Sequence, residues 1–206
     1  MSEIGANHGG KHLRRGGVPA AAERQLVVRA RSGDMSAFGA IVQAYEGRVL
    51  GLALRTLGDP ALAREASQEA FVRLHRALHR LDPERPLFTY LYRVVINVCR
   101  DLAARERRRQ GEPLTAGEER QVHDLSDPVR EVENAELLAV VKGLAQRLGV
   151  QQRAAFVLRD IEGLEIAEIA RILRCRESTV RSHLCLARRA LCALIEKEFP
   201  ELLEGR

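Results

Sequence analysis

Tryptophan is absent from this chain of 206 residues, and only three tyrosines and five phenylalanines are present. Alanine, leucine, arginine and glutamate are abundant instead, which is typical of helical proteins. No apolar run approaches the ~20 residues that a membrane-spanning helix needs, and the N-terminal stretch lacks the apolar region of a secretory signal. The composition predicts an all-α protein. The absence of a membrane-spanning run and of a signal segment predicts that it is cytoplasmic, with no stable membrane insertion.

Cysteine is also scarce. Cys99, Cys175, Cys185 and Cys192 form neither a CxxC pair nor a Cys/His cluster at zinc-binding spacing. Small, semi-buried side chains in a reducing compartment are the simplest interpretation, with redox sensing as the alternative. No metal ion and no cofactor are expected.

Charge is distributed unevenly along the chain, although the total is only +5. Residues 112–136 contain eight acidic residues against two arginines, together with the breakers Pro113, Gly117 and Pro128. This composition predicts a flexible acidic linker at 111–134, which joins two small helical domains at 23–110 and 135–206. Residues 1–22 show no apolar periodicity, which predicts a disordered basic arm.

The most informative segment runs from Glu165 to Leu191. Two short amphipathic helices meet there at a tight break, and the second has a continuous apolar stripe of Val180, Leu184, Ala187 and Leu191. This pattern predicts a helix-turn-helix whose polar face suits phosphates and base edges in a major groove. That face comprises Ser178, Thr179, Arg181, Ser182, His183 and Arg188. An ordinary helical hairpin with a solvated basic face is the alternative.

A second candidate surface lies in residues 87–109. Its buried stripe is predicted to comprise Leu91, Val94, Val95, Val98 and Leu102. Arginines and one amide share the opposite face, and aromatic residues gather at its N-terminal end: Arg93, Asn97, Arg100 and Arg107, with Phe88, Tyr90 and Tyr92. Cations follow a phosphate backbone and aromatic rings stack on unpaired bases. The alternative is that the tyrosines belong to the core and the arginines are merely solvated.

Breakers divide the rest of the first domain. Ser32-Gly33-Asp34 and Gly47 are expected to separate amphipathic segments, whereas Asp59-Pro60 predicts an N-cap and the start of a helix running to about Arg80. The outer face of that helix is polar without enzyme-like clustering, and by itself indicates only a solvated surface. Its residues are Glu65, Gln68, Glu69, Val72, Arg73 and Arg76.

A helix-turn-helix beside a module suited to single-stranded bases fits the task of opening duplex DNA at a defined distance from a sequence that is read. From about Arg24 to Leu194 the chain resembles a bacterial extracytoplasmic-function (ECF) sigma factor. The resemblance lies in four segments that occur in the family's order: SGDMSAFGAIVQAYEGRVLGLALRTLGDPALAREASQEAFVRLHRAL, LFTYLYRVVINVCRDLAARERRR, QQRAAFVLRDIEGLEIAEIARIL and ESTVRSHLCLARRAL.

The resemblance implies that the protein is a transcription initiation factor which binds RNA polymerase core, melts the minus-ten promoter element and reads the minus-thirty-five element. It implies a contact with the clamp of the largest polymerase subunit through Glu65, Gln68, Glu69, Arg73 and Arg76. It implies that unpaired bases of the minus-ten element are captured by Phe88, Tyr90, Arg93, Asn97 and Arg100. It implies that the DNA groove of the minus-thirty-five element is read by Arg176, Glu177, Ser178, Thr179, Arg181, Ser182, His183 and Arg188. An anti-sigma factor is the further expected partner.

The sequence departs from the family pattern at several positions. Tyr90 stands where tryptophan is usual, which keeps an aromatic platform. Glu165 replaces the usual Ser or Thr, and Arg174-Cys175-Arg176 replaces the usual Gly-Ile-Ser turn. A residue other than glycine in a left-handed conformation costs about 1 kcal/mol or more, and a lost cap costs about as much. We therefore expect a weaker or differently shaped turn.

Two other classes of function stay open at this point. An autonomous helix-turn-helix repressor or activator would bind a palindrome as a dimer, but it leaves the well-matched first domain without a role. A cysteine-dependent enzyme would need a nucleophile, a base and an orienting group close together. Cys99 and the scattered histidines show no such pattern, so we predict that the protein is not an enzyme.

Overall fold

The computed structural model describes residues 19–109, 141 and 143–200. Every regular element in these residues is helical, which confirms the all-α class. The α-helices are α1 (Ala20–Arg31), α2 (Met35–Leu57), α3 (Pro60–Ala77), α4 (Leu87–Arg109), α5 (Val150–Phe156), α6 (Ile166–Leu173) and α7 (Glu177–Glu198). The predicted linker lies outside the described residues, as does the predicted arm up to residue 18. We call residues 19–109 the N-terminal module and residues 143–200 the C-terminal module.

Short polar side chains begin two of the helices, as the sequence predicts. Asp34 accepts hydrogen bonds from the backbone N–H groups of Ser36 and Ala37 at the start of α2, at 2.9 and 3.1 Å. Hydrogen bonds from the Ser36 hydroxyl, the Ala37 backbone N–H and the Arg29 guanidinium hold the pKa of Asp34 well below its usual range. Asp59 caps α3 in the same way, with Pro60 at the first helical position.

Gly47 does not interrupt the helix, contrary to our expectation. Helix α2 continues from Met35 to Leu57 without a break. A single glycine in a helix costs only about 1 kcal/mol relative to alanine. Packing of Ile41, Tyr45, Val49 and Leu52, all fully buried on one side of α2, outweighs that cost.

The N-terminal module packs α1, α3 and α4 around α2. The predicted stripe on α4 is confirmed, because Leu91, Val94, Val95, Val98 and Leu102 are all buried. Glu23 of α1 ties the module together: one carboxylate oxygen accepts from the Tyr45 hydroxyl and the other from the backbone N–H of Leu87 at 3.0 Å. The first turn of α4 is therefore capped by a side chain that lies 64 residues away in sequence.

The C-terminal module contains the predicted helix pair. Val180, Leu184, Ala187 and Leu191 of α7 are buried, as their spacing predicts. Helix α5 continues as a π-helical segment, Val157–Ile161, before the chain turns into α6. Leu144, Leu148 and Phe156 join α7 in a small core of their own.

The two modules are packed against each other. Buried residues from both contribute to one continuous apolar core, and α4 of the N-terminal module lies against α6 of the C-terminal module. Among the residues that the structure describes, no helix is both long and apolar enough to cross a membrane. Helix α4, on which the sequence predicts one of the candidate surfaces, lies at the seam between the modules.

Candidate nucleic-acid interface

The turn between α6 and α7 has the tight geometry of a helix-turn-helix. Arg174 ends α6 in the left-handed conformation, with φ of 54°, so the sequence places an arginine where glycine has less strain. The backbone N–H of Cys175 donates to the carbonyl of Ala170 at 3.1 Å, which closes the last turn of α6. The predicted departure from the usual turn thus lies in residue type, while the backbone still turns sharply.

The start of α6 keeps a cap despite the loss of Ser or Thr. The carboxylate of Glu168 accepts from the backbone N–H of Glu165 at 3.1 Å, and the Glu165 carboxylate pairs with Arg159 at 3.2 Å. The backbone donor of the N-cap residue Glu165 is therefore satisfied by a side chain of the first helical turn. This contact offsets part of the cost expected for the missing hydroxyl.

The N-terminal half of α7 presents most of the predicted groove-reading residues to solvent. Arg176, Glu177, Ser178 and Arg181 are exposed, and Thr179, Ser182 and His183 are half-buried. Arg181 donates to Glu177 one turn earlier at 3.1 Å. An exposed pair of this kind is worth only about 0.3–0.5 kcal/mol, so the arginine is readily exchanged toward a phosphate or a base edge.

Arg188 occupies a different setting from the other predicted groove-reading residues. Its guanidinium donates to Asp160 of the π-helical segment at 2.8 Å, and both side chains are largely shielded. The pair joins α7 to the segment that follows α5. Its contact with DNA stays a prediction, whereas its ion pair with Asp160 is present in the structure.

The predicted base-capture residues gather along one side of α4 and at its start. Arg93 stacks over the ring of Tyr90, with its guanidinium carbon 4.9 Å from the ring centroid. Phe88 meets Tyr92 edge to face at 6.0 Å between centroids. Asn97 is half-buried and Arg100 is exposed. The pattern on α4 therefore does form a face with aromatic rings at one end and cations along it.

Tyr92 belongs more to the core than to this face. It is 3% exposed, and its hydroxyl donates to Glu162 of the C-terminal module at 3.1 Å. Burial, followed by the nearby Glu162 charge, raises the pKa of Tyr92 to about 12. The sequence alternative in which tyrosines are core residues is thus realised at Tyr92, while Tyr90 is only partly buried.

The polar face of α3 is organised by ion pairs to α4. Glu65 pairs with Arg105 at 3.0 Å, and Arg73 bridges Glu69 at 2.7 Å and Asp101 at 3.3 Å. Gln68 and Arg76 are exposed beside them. These pairs link α3 to α4 across an exposed polar face that presents both carboxylates and cations to solvent.

Sequence reasoning missed the residues at the seam, namely Glu162, Arg153, Gln146 and Arg55. Their partners lie some 70 to 107 residues away in sequence. No local pattern reports such a separation. Arg153 is unusual among them because it is a buried arginine, but its burial is visible only once the fold is known.

Cys99 is fully buried in the N-terminal module, and burial raises the pKa of its thiol to about 12. A thiol with such a pKa is uncharged at neutral pH and is a poor nucleophile. Cys99, Cys175, Cys185 and Cys192 are all free thiols. The environment of Cys99 thus fits packing and disfavours covalent catalysis.

Fold and surfaces together define a helical DNA-binding protein with two modules. Residues 41–109 match the family model for Sigma-70 region 2, and residues 140–191 match that for Sigma-70, region 4. The RNA polymerase sigma-H factor of Pseudomonas aeruginosa is 35% identical over 176 residues, covering 82% of this chain and 91% of that protein. The ECF RNA polymerase sigma-E factor of Escherichia coli K12 is 32% identical over 178 residues, covering 82% and 92%.

A solved structure has a similar fold. The structure of CnrH in complex with the cytosolic domain of CnrY aligns with a TM-score of 0.62 at 28% identity, covering 86% of this chain and 99% of that chain. The chain belongs to the ECF sigma factors of the sigma-70 family. It is a transcription initiation factor that directs RNA polymerase to promoters, not an enzyme, and it acts where the polymerase acts, in the cell interior.

Proposed function

We propose that the three surfaces described above divide the work of initiation in this protein. The exposed face of α7 reads duplex DNA at the minus-thirty-five element, through Arg176, Glu177, Ser178, Thr179, Arg181, Ser182, His183 and Arg188. The α4 face captures unpaired bases of the minus-ten element, through Phe88, Tyr90, Arg93, Asn97 and Arg100. The α3 face, with Glu65, Gln68, Glu69, Arg73 and Arg76, binds the clamp of the largest polymerase subunit.

The Tyr90–Arg93 stack is the single observation that best supports this division. A cation over one face of the ring leaves the ring as a platform for a base, and unpaired bases gain about 1–3 kcal/mol each from such stacking. The half-buried amide of Asn97 lies farther along the same helix. Duplex binding by α7 needs none of these groups, so their presence favours a second role on melted DNA.

The partners follow from the same surfaces. RNA polymerase core and promoter DNA are the functional partners, and the protein works in the cytoplasm. An anti-sigma factor is a further partner, and the related CnrH structure likewise contains a bound protein, the cytosolic domain of CnrY. Covering the α3 face and the basic face of α7 would block polymerase and DNA together, without any covalent change in this chain.

Transcription from a promoter template with purified core polymerase, in the presence and absence of this protein, tests the proposal. We expect specific initiation only when both are present, because one helix-turn-helix makes few phosphate contacts and binds duplex weakly by itself. Tight, polymerase-independent binding to a palindrome would instead support the repressor alternative.

Arg181 gives a residue-level prediction for the upstream element. Arg181→Ala should lose about 1–3 kcal/mol of promoter binding by the holoenzyme, because an exposed guanidinium on the groove-reading face is removed. Lys197→Ala, which removes one charge at the exposed C-terminal end of the same helix, should change binding little. A salt titration separates the two roles of Arg181: loss of a phosphate contact weakens all sequences alike, whereas loss of a base contact relaxes one position. Normal initiation by Arg181→Ala on every template would contradict the placement.

A further inference from the structure

The C-terminal end of α2 is completed by the C-terminal module. The last carbonyl groups of a helix have no partner within the helix. Here the Gln146 amide donates to the carbonyl of Arg55 at 3.1 Å, and the Arg153 guanidinium donates to the carbonyl of Thr56 at 2.8 Å. Arg153 is only 9% exposed, so the module that supplies these donors is packed closely against the helix end.

Gly58 permits this close approach. It ends α2 with φ of 76°, and a Cβ atom placed there would lie 2.3 Å from the side-chain oxygen of Gln146. Any larger residue would therefore be strained in its backbone and would push Gln146 away. The sequence supplies the backbone conformation and the space that the contact between the modules requires.

An ion pair also connects the two modules. Glu162, which follows the π-helical segment, pairs with Arg55 of α2 and accepts from the Tyr92 hydroxyl of α4 at 3.1 Å. The side chains of Arg55 and Glu162 are 30% and 15% exposed. Because the pair is partly desolvated, it is screened less by salt than a surface pair, and reversing one charge leaves two like charges facing each other.

The same packing covers part of the base-capture face. Helix α6 lies against α4. The side-chain amide of Gln151 on α5 is oriented with its oxygen toward Arg100, and that oxygen accepts a hydrogen bond from the guanidinium at 2.8 Å. Burial, and then the charge of Arg174, lowers the pKa of Arg93. Arg93 and Arg100, which the proposed function assigns to melted DNA, are thus engaged or crowded by the C-terminal module.

We propose that the free chain is held closed by a latch of Arg55, Glu162 and Arg153 between its modules, and that closure masks the α4 face. The masking rests on the proposed role of α4 in binding melted DNA. The latch is intramolecular, so it acts at a high effective concentration and needs no partner. A chain that is closed nine times in ten shows about one tenth of its intrinsic affinity for single-stranded DNA.

Charge reversal at Arg55 tests the latch in the full-length protein. We expect Arg55→Glu to increase the radius of gyration measured by small-angle X-ray scattering. We also expect it to bind a fluorescein-labelled single-stranded DNA of random sequence about tenfold more tightly, because the open fraction increases. The variant is more acidic than the wild type, so simple attraction to DNA predicts the opposite change. Arg64→Glu, the same charge change at an exposed position on α3, should stay compact and should bind slightly less tightly.

Exchange of the two charges provides the decisive comparison. The double variant Arg55→Glu/Glu162→Arg restores an attractive pair and should return both the compact shape and the weaker DNA binding. If Arg55→Glu does not fold by circular dichroism, Glu162→Gln, which removes the charge without reversing it, should give a smaller change in the same direction.

Several results would overturn the proposal. An extended wild-type chain, or a folded Arg55→Glu variant that stays compact, rejects the latch. An exchange variant that stays open rejects the assignment to this ion pair, and an open variant without tighter DNA binding rejects the masking. Promoter-directed transcription by the wild type with core polymerase is measured separately, so failure of the proposed function is recognised independently of failure of the latch.

Discussion

Replacing Tyr90 with leucine is expected to slow open-complex formation on a duplex promoter by about tenfold to a hundredfold. The estimate follows from the loss of one stacking platform, worth about 1–3 kcal/mol per base. Leucine keeps apolar bulk where Tyr90 packs against the core, but offers no aromatic plane to a base or to Arg93. Open complexes can be followed by permanganate reactivity of unpaired thymines, with holoenzyme assembled from purified core.

Tyr90→Phe is the matched control for that experiment, because it keeps the ring and should retain nearly normal melting. A premelted bubble template supplies the second comparison. If Tyr90 acts in melting, the leucine variant should recover most of its activity on the bubble. Equal defects on both templates would discard melting as the affected step, and normal activity on both would discard Tyr90 as a base-binding residue.

Asn97 should behave in the same way for a different reason. Its amide can donate to and accept from the edge of a flipped base, whereas alanine at this half-buried position can do neither. Asn97→Ala should therefore impair duplex templates more than bubble templates while leaving upstream recognition unchanged. A loss of upstream recognition in this variant would indicate a folding defect in α4 instead.

The sequence predicted those parts of the fold that local chemistry determines. Helical periodicity identified the buried side of α4 and α7, because burial repeats with the helix turn. Asp59-Pro60 marked the start of α3, because a carboxylate there satisfies free backbone donors. The prediction at Gly47 was wrong, because one glycine costs little compared with the packing of the buried residues that precede and follow it in α2.

The contact between the modules could not be predicted in this way. Glu162 has no pattern that points to Arg55, and Gln146 has none that points to the end of α2, because such partners meet only after both modules have folded. The family resemblance indicated which helices would bind polymerase and DNA. It did not indicate that Arg188 pairs with Asp160, or that Tyr92 is directed to the other module.

Arg153 is expected to contribute more to stability than the exposed arginines of the protein. Its guanidinium donates to the carbonyls of Thr56, Gln146 and Leu148 and to the side-chain oxygen of Gln146. Burial, followed by the charge of Arg107, lowers its pKa, which shows that the surroundings disfavour the cation unless these acceptors are aligned on it. Methionine has a similar length but removes the donor from all four oxygens, and the bonds to the Thr56 and Leu148 carbonyls are buried.

We therefore expect Arg153→Met to lower the free energy of unfolding by about 3 kcal/mol or more, since each buried acceptor left without a donor costs about 1–3 kcal/mol. Arg153→Lys keeps the charge but cannot reach all the acceptors, so its loss should be intermediate. Arg171→Met, at an exposed position on α6, should stay within about 0.5 kcal/mol of the wild type. Urea unfolding followed by circular dichroism measures all three. A loss below about 1 kcal/mol for Arg153→Met would show that the acceptors find other donors or water, and that the C-terminal module does not depend on this side chain to hold the end of α2.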